Sequence, residues 1–152
     1  MRVTAKVDYA VRAMIELAGA TEERPLKGEK ISAAQDIPVR FLENILTELR
    51  YDGLVRSRRG ADGGYWPAQP PDETTLAEII RAVEGPLASV RGEPPDEVAF
   101  QGDAKPLQEV WIALRANMRD ILETVTIADV ASARLPEPVR RIVSDPAAWR
   151  AR

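Results

Sequence analysis

The chain has 152 residues, of which 45% are apolar and 30% charged, with eight aromatic side chains and neither cysteine nor histidine. This length suits one globular domain with a helical extension and allows a sizeable core. Without cysteine there are no disulfides, thiolate metal sites or cysteine nucleophiles, and without histidine the usual general base and the commonest metal ligand are missing. No apolar run approaches the roughly 20 residues of a membrane helix. We therefore expect a cytoplasmic protein with no membrane partner that is not an enzyme.

Charge is distributed unevenly along the chain. The formal net charge is −3, but the first 66 residues carry eleven basic against ten acidic side chains, so the excess acid lies in the remainder. A local basic patch can bind phosphate even on a protein whose total charge is negative. The candidate patch lies at residues 55–64 and consists of Arg56, Arg58 and Arg59.

Apolar residues at helical spacing predict two helices in the first 35 residues. Thr4 is a candidate N-cap of the first, and Gly19 can end it. The second is short and is expected within residues 27–35. Its inward side chains should be Ile31 and Ala34.

A third helix followed by a hairpin is the next predicted unit. The helix is expected over residues 39–52, and Gly53 is typical of the position after a helix C-terminus. Residues 54–58 predict a short strand, and the return strand begins at Tyr65. Between them lies a turn whose paired glycines supply the positive φ angles of a tight hairpin. This order of elements is typical of a winged helix-turn-helix.

The rest of the chain divides at a capping box and a long loop. Thr75 and Glu78 predict the start of a fourth helix. The loop that follows has about nineteen residues, a length typical of functional loops. We predict a mainly α fold with a two-stranded β-wing and five segments: a winged helix-turn-helix domain (1–67), a connecting helix (75–86), an effector or sensor loop (87–105), a dimerisation helix (106–130) and a C-terminal tail on the surface (131–152).

An apolar stripe marks the predicted dimerisation helix. Eight apolar side chains recur at helical spacing along it, far from the small N-terminal core. Packing against a second copy is the economical way to bury them, since two-fold dimers dominate oligomers. The predicted interface consists of Leu107, Val110, Trp111, Leu114, Met118, Ile121, Leu122 and Val125.

The third helix and the hairpin carry the candidate DNA contacts. In a helix-turn-helix the N-terminal residues of the second helix reach base edges in the major groove, where Arg pairs with guanine, Asn with adenine, and Glu accepts from cytosine. Arginines beside a glycine turn can approach the phosphate backbone. The candidates are Val39, Arg40, Phe41, Glu43, Asn44, Arg50, Arg56, Arg58, Arg59, Gly60, Gly64 and Tyr65.

Plainer interpretations stand beside these. The exposed side of the third helix could be an ordinary solvated face, and the arginines of the hairpin could serve solubility. A nucleotide-binding loop is excluded, because the glycine turn lacks the Gly-Lys-Ser/Thr ending of a P-loop. Asp8 and Arg12, one helical turn apart, predict an ion pair rather than a ligand site.

Four stretches form a set of motifs: VDYAVRAM at 7–14, FLENILTELRYDGLV at 41–55, RGADGGY at 59–65 and IIRAVEGPL at 79–87. Together they resemble the Rrf2 family of bacterial transcriptional regulators, over roughly residues 1–130. The resemblance implies a dimer of winged helix-turn-helix subunits that binds a palindromic operator. It also implies that a long C-terminal helix holds the dimer and that residues 126–130 end that helix.

The sequence departs from the family in the loop before that helix. Many members carry three cysteines there that hold an iron–sulfur cluster, whereas residues 89–105 contain none. Asp8 lies near an acidic ligand of some relatives, but one carboxylate cannot hold a cluster. The resemblance therefore implies a cluster-free member with no metal and no cofactor. Residues 88–91 resemble a branch tied to sulfur or cysteine metabolism. Asp36 replaces a usual glycine, and Asp tolerates the left-handed conformation.

Two functional hypotheses follow. The first is a dimeric repressor that binds a palindromic operator in double-stranded DNA. It would respond to a small-molecule effector or a protein co-regulator, with an effector pocket between the fourth helix and residues 87–105. The alternative is a helical protein-interaction module whose winged domain has weak or no affinity for DNA, as the acidic total charge favours.

Overall fold

Helix α1 (Ala5–Leu17) begins where its capping residue predicts. The computed structural model describes residues 2–151 of the chain. The Thr4 hydroxyl accepts a hydrogen bond from the Val7 backbone N–H at 3.2 Å and donates one to Glu84. One threonine thus starts α1 and joins it to the helix that carries Glu84.

Helices α2 (Gly28–Gln35) and α3 (Val39–Tyr51) form the helix-turn-helix. Asp36 lies between them with φ 51° and ψ 49°, so its predicted left-handed conformation is confirmed. Ile31 is fully buried, but the prediction that Ala34 points inward is wrong, because Ala34 is exposed. The two turns of α2 pack on α1 and α3 on its Ile31 side and leave Ala34 outside.

The wing is an antiparallel pair of strands, β1 (Val55–Arg58) and β2 (Gly64–Pro67). Its second strand also pairs with the segment between α1 and α2. The Leu26 N–H donates to the Tyr65 carbonyl at 2.9 Å, and the Tyr65 N–H donates to the Leu26 carbonyl at 2.8 Å. These two hydrogen bonds hold the wing against the body of the domain.

The glycines of the wing turn serve two different purposes. Gly60 has a positive φ of 103°, whereas Gly63 does not have a positive φ, so the predicted role of Gly63 is wrong. Gly63 is required for space, since a Cβ there would lie 2.1 Å from the Arg58 carbonyl oxygen. A Cβ on Gly64 would lie 2.7 Å from the Leu26 carbonyl oxygen, which is the partner of the wing in the body.

Helix α4 (Leu76–Glu84) closes the core and begins at the predicted capping box. The Glu78 N–H donates to the Thr75 hydroxyl at 3.3 Å, and the Thr75 N–H donates to the Glu78 carboxylate at 2.8 Å. The core lies between α1, α3 and α4, and its largest fully buried side chains include Met14, Leu17, Ile31, Leu42, Leu46, Ile79 and Ile127.

The long loop is fastened to helix α5 (Leu107–Leu122). Arg115 forms an ion pair with Asp96, and the Gln108 side chain donates to the carbonyls of Pro95 and Asp96 at 3.3 and 3.2 Å. The hydrogen bond from Arg115 holds the pKa of Asp96 below its usual value, so this contact persists at neutral pH. A short 3-10 turn, Gly102–Ala104, leads into α5.

The expected helix over residues 106–130 is broken, which corrects the predicted dimerisation segment. Helix α5 ends at Leu122, and a separate short helix α6 (Ile127–Ala131) follows. Between them the chain pairs with the start of α4: the Leu76 N–H donates to the Val125 carbonyl at 2.9 Å, and the Ile127 N–H donates to the Thr74 carbonyl at 3.0 Å. This pairing turns the chain and leaves Val125 only 3% exposed.

The remaining residues fold into a helix α7 (Glu137–Val143) and a 3-10 turn, Pro146–Trp149. The sequence did not predict either element. The α7 helix packs mainly on the turn that follows it, and residues 140–151 are exposed. No helix within residues 2–151 is long and apolar enough to cross a membrane.

Candidate nucleic-acid interface

The outer face of α3 presents the predicted base-reading residues to solvent. The apolar stripe Leu42, Ile45, Leu46 and Leu49 is buried, because it faces α1, α4 and the wing. The opposite side is exposed along its length, and Phe41 remains 57% exposed although it is aromatic. This side carries Val39, Arg40, Phe41, Glu43, Asn44 and Arg50.

Aromatic contacts join the start of α3 to α1. The rings of Tyr9 and Phe41 meet edge to face with centroids 6.4 Å apart. The Arg12 guanidinium lies 5.1 Å from the Tyr9 ring centroid and donates to the Gln35 carbonyl at 2.5 Å, at the end of α2. These contacts hold the helix-turn-helix on α1 and limit how far α3 can tilt.

Two arginines connect the wing to its surroundings. Arg50, near the end of α3, donates to the Ser57 hydroxyl at 3.2 Å. Arg58 donates to the backbone carbonyls of Glu22 and Asp62 at 3.1 and 3.3 Å. Arg58 therefore braces the wing turn against the loop before α2, a role that its position in the sequence does not reveal.

Two other arginines are exposed on the wing. Arg56 lies opposite Trp66 in the strand pair, and Arg59 begins the turn. Neither forms an ion pair with any acidic residue between positions 2 and 151. Their guanidinium charges are therefore free to meet an anion.

The wing, α3 and the start of α2 enclose an open groove of about 410 Å³. Four cationic side chains lie along it, and Glu29 contributes the one carboxylate of its lining. The cations are Lys27, Arg50, Arg58 and Arg59. Because the charges converge on one concave surface, the groove attracts phosphate.

Lys27 is the residue of this groove that sequence reasoning missed. It occupies the N-cap position of α2. The next residue, Gly28, lies against the Tyr65 ring, and a Cβ on Gly28 would be 3.7 Å from the Tyr65 Cε2 atom. In helix-turn-helix proteins the first helix crosses the DNA backbone. A lysine immediately before the first residue of this helix was the available signal.

The predicted contacts do not all lie in one groove. Gly60, Gly64 and Tyr65 line the groove with Arg50, Arg58 and Arg59. Arg56 instead lines a neighbouring groove of about 740 Å³ at the outer edge of β1, together with Trp66 and Gln69. The backbone N–H of Tyr65 is engaged with Leu26, so only its side chain faces a ligand.

An exposed helix after a tight turn, flanked by a basic two-stranded wing, defines a winged helix-turn-helix regulator that binds DNA. The chain belongs to the Rrf2 family: the family model described as "Rrf2: Iron-dependent Transcriptional regulator" matches residues 3–133. The resemblance predicted from the motifs, the fold class and the function as a DNA-binding transcriptional regulator are thereby confirmed.

Named relatives agree with this assignment. The chain is 48% identical over 145 residues to a protein named as an HTH-type transcriptional regulator, Rv1287 of Mycobacterium tuberculosis (strain ATCC 25618 / H37Rv), which covers 95% of this chain and 90% of that protein. It is 35% identical to the HTH-type transcriptional regulator CymR of Bacillus subtilis (strain 168), over 87% of this chain and 91% of CymR. The solved structure of that CymR, described as the global cysteine regulator, superposes with a TM-score of 0.72 over 88% of this chain and 98% of CymR, at 34% identity.

The donor set of this chain does not fit an iron site. It has no cysteine and no histidine. Within residues 2–151 no group of three acidic side chains is arranged to hold a metal ion. Asp8 is engaged with Arg12 at 2.7 Å, as predicted from their spacing. The iron dependence in the family description therefore has no matching ligands here.

Proposed function

We propose that the protein is a dimeric repressor that binds a palindromic operator in double-stranded DNA without an iron–sulfur cluster. The observation that carries the proposal is the groove in which Lys27, Arg50, Arg58 and Arg59 converge beside the exposed face of α3. The cations in the groove hold the DNA phosphate backbone in position. Exposed side chains of α3, among them Arg40 and Asn44, contact the base edges.

Helix α5 is the proposed dimer contact. None of its sixteen residues is buried within the chain, although it carries an apolar stripe. Val110, one residue of that stripe, is 55% exposed. A helix with this much exposed apolar surface gains stability by packing against its copy. Leu107, Leu114 and Leu122 belong to the same stripe, whereas Val125 is removed from the proposed interface by its burial.

An open cavity supports the proposal of a small-molecule effector. It measures about 590 Å³ and lies between the long loop and α5. The sequence predicted an effector pocket between α4 and this loop, and the present cavity is bounded by α5 instead, with Trp111 and Met118 forming one wall. Since both residues belong to the stripe, an effector there would act on the dimer helix. A shift of the thermal midpoint on titration with candidate metabolites tests this.

The relationship to CymR supports a regulatory link to sulfur or cysteine metabolism. CymR of Bacillus subtilis is described as a global cysteine regulator. For the present chain, the absent cysteines and histidines favour control by a ligand or a partner protein over control by a cluster. Sulfur-containing metabolites are therefore the first effectors to titrate.

Binding of the purified, chelator-treated protein to its own promoter DNA tests the proposal. We expect tight, sequence-selective binding that weakens steeply between two salt concentrations, because phosphate contacts release counterions. Selective binding that appears only after metal is restored would refute cluster independence. Binding that is absent, or equal on random DNA, even with cell extract added, would favour the protein-interaction module.

A further inference from the structure

Residues 134–152, here named the basic segment, differ in charge from the rest of the chain. They carry five arginines against two acidic residues, and the preceding 133 residues hold six more acidic than basic side chains. The family match ends at residue 133, so the basic segment lies outside the matched region. Its charge is therefore a feature of this chain beyond the shared family fold.

The structure leaves most of this charge unneutralised. Arg140 pairs with Glu137 at 3.2 Å, and both side chains are about two thirds exposed. Over the described residues, Arg134, Arg141 and Arg150 form no ion pair and are exposed. Three free guanidinium groups on a small unit are available to an anionic partner.

The basic segment is also folded rather than extended. Its α7 helix is followed by a turn in which the Trp149 indole N–H donates to the Val143 carbonyl at 2.6 Å. This bond closes the turn onto the end of α7. The arginines on either side, Arg141 and Arg150, are thus carried by one folded unit.

The helix that precedes the basic segment, α6, is hydrogen-bonded to the chain just after the second strand of the wing. The Ala128 N–H in α6 donates to the Pro71 carbonyl at 3.2 Å. Pro71 follows Pro67, the last residue of β2, by four residues, which span at most about 14 Å. After α6 the chain turns at Ala133, with φ 55°, and enters the basic segment. The segment therefore starts only a few residues beyond a helix that is hydrogen-bonded to the chain just after β2.

We propose that the basic segment binds the phosphate backbone of duplex DNA flanking the operator. Charge identifies the partner: DNA is a dense polyanion, whereas the preceding 133 residues are acidic and the segment carries exposed, unpaired arginines. Contacts of this kind add affinity without adding sequence preference. The inference rests on the proposed binding of an operator.

Charge substitutions in the full chain test the proposal. One variant combines Arg134→Gln, Arg141→Gln and Arg150→Gln, and its control carries Lys at the same three positions. We expect the Gln variant to reduce the slope of log affinity against log salt by about 2.7 per chain and to weaken binding on the order of tenfold, equally on operator and random DNA. The Lys variant should keep the wild-type slope.

The possible outcomes distinguish failure of the proposed operator binding from failure of the proposed role of the basic segment. Wild-type protein that shows no selective DNA binding would contradict the proposed function and leave nothing for the segment to assist. Selective wild-type binding with an unchanged slope in the Gln variant would overturn the role of the segment alone. Loss of binding in both triple variants, with unchanged melting temperatures, would indicate a guanidinium-specific protein contact and would also overturn it.

Discussion

Gly63 holds the turn of the wing because its missing Cβ leaves room for the Arg58 carbonyl. A Cβ there would lie 2.1 Å from that oxygen, and the displaced atom is backbone. We expect Gly63→Ala to destabilise the protein by about 1–3 kcal/mol, as overpacking does, and to weaken DNA binding by moving Arg59. Urea unfolding and a DNA titration measure both effects.

Gly19→Ala is the matched control for this change. Nothing lies within 4 Å of a Cβ at Gly19, and its φ is not positive. Unfolding and DNA binding should therefore match wild type. If Gly63→Ala behaved like Gly19→Ala, the wing turn would not depend on the close approach of Gly63 to Arg58.

Arg59 and Arg58 lie next to each other but are held differently. Arg58 is engaged by two carbonyls, whereas Arg59 is free on the turn. We expect Arg59→Ala to lower DNA affinity and to reduce the salt slope by about 0.9, the value for one phosphate contact. The measurement is a titration at several salt concentrations. Lys105→Ala, an exposed cation beside α5, should leave the slope unchanged, and an unchanged slope for Arg59→Ala would remove Arg59 from the phosphate contacts.

For individual residues, the sequence predicted which side chains are exposed better than it predicted which residues form hydrogen bonds with each other. Subtracting the buried stripe of α3 identifies Arg40 and Asn44 as outward, because helical periodicity alone determines which side they occupy. The engagement of Arg58 with Glu22 required a contact between residues 36 apart, which periodicity does not encode. Lys27 was missed for the same reason, since the groove that contains it forms only when the wing folds back.

The elements of the N-terminal domain were predictable because their ends carry local signals. Thr4 caps α1 and Thr75 caps α4, as the sequence indicated. The break after α5 was missed because Val125 continues the apolar spacing although the chain has already left the helix. Thr126 and Asp129 form a capping box for α6, a local signal that could have revealed a new helix start.

The end of α5 is further defined by charge. Glu123 accepts hydrogen bonds from Arg81 of α4 and Arg119 of α5, which hold its pKa below the usual value. The carboxylate thus remains charged at neutral pH, and its stabilising contacts are lost only as the pH falls toward that lowered pKa. A continuous helix would carry residues 123–130 away from α4 and give up the pairing with Thr74 and Leu76.

The exposed stripe of α5 yields a prediction about assembly. Val110→Asp places a charge on the proposed contact, where burial without a partner is costly. We expect the dimer to dissociate, with a halved mass in light scattering and weaker operator binding. Ala116→Asp lies on the opposite, exposed face of the same helix and should leave the mass unchanged. An unchanged mass for Val110→Asp would place the dimer contact elsewhere.

The proposed two-fold dimer, as a whole molecule, should require two half-sites at a fixed rotation around the DNA axis. Paired helix-turn-helix subunits contact half-sites separated by about 34 Å, or one helical turn of DNA, or by multiples of it. Inserting five base pairs at the centre of the operator turns one half-site to the opposite side of the duplex. We expect that insertion to reduce binding to the level of a single half-site, and a quantitative gel shift measures this. Equal affinity for both operators would contradict two-fold recognition.

The hydrogen-bonded rung between residues 74–76 and 125–127 gives the molecule a mechanical property. It joins the chain just after the C-terminus of α5 to the N-terminus of α4. Ile79 and Val83 of α4 lie in the same core as α1 and α3. A rotation of α5 is therefore coupled, through these hydrogen bonds and the shared core, to the helix-turn-helix. In the proposed dimer, a small change in the angle between the two α5 helices would change the distance between the two recognition helices, so operators that differ in half-site spacing would respond differently to an effector.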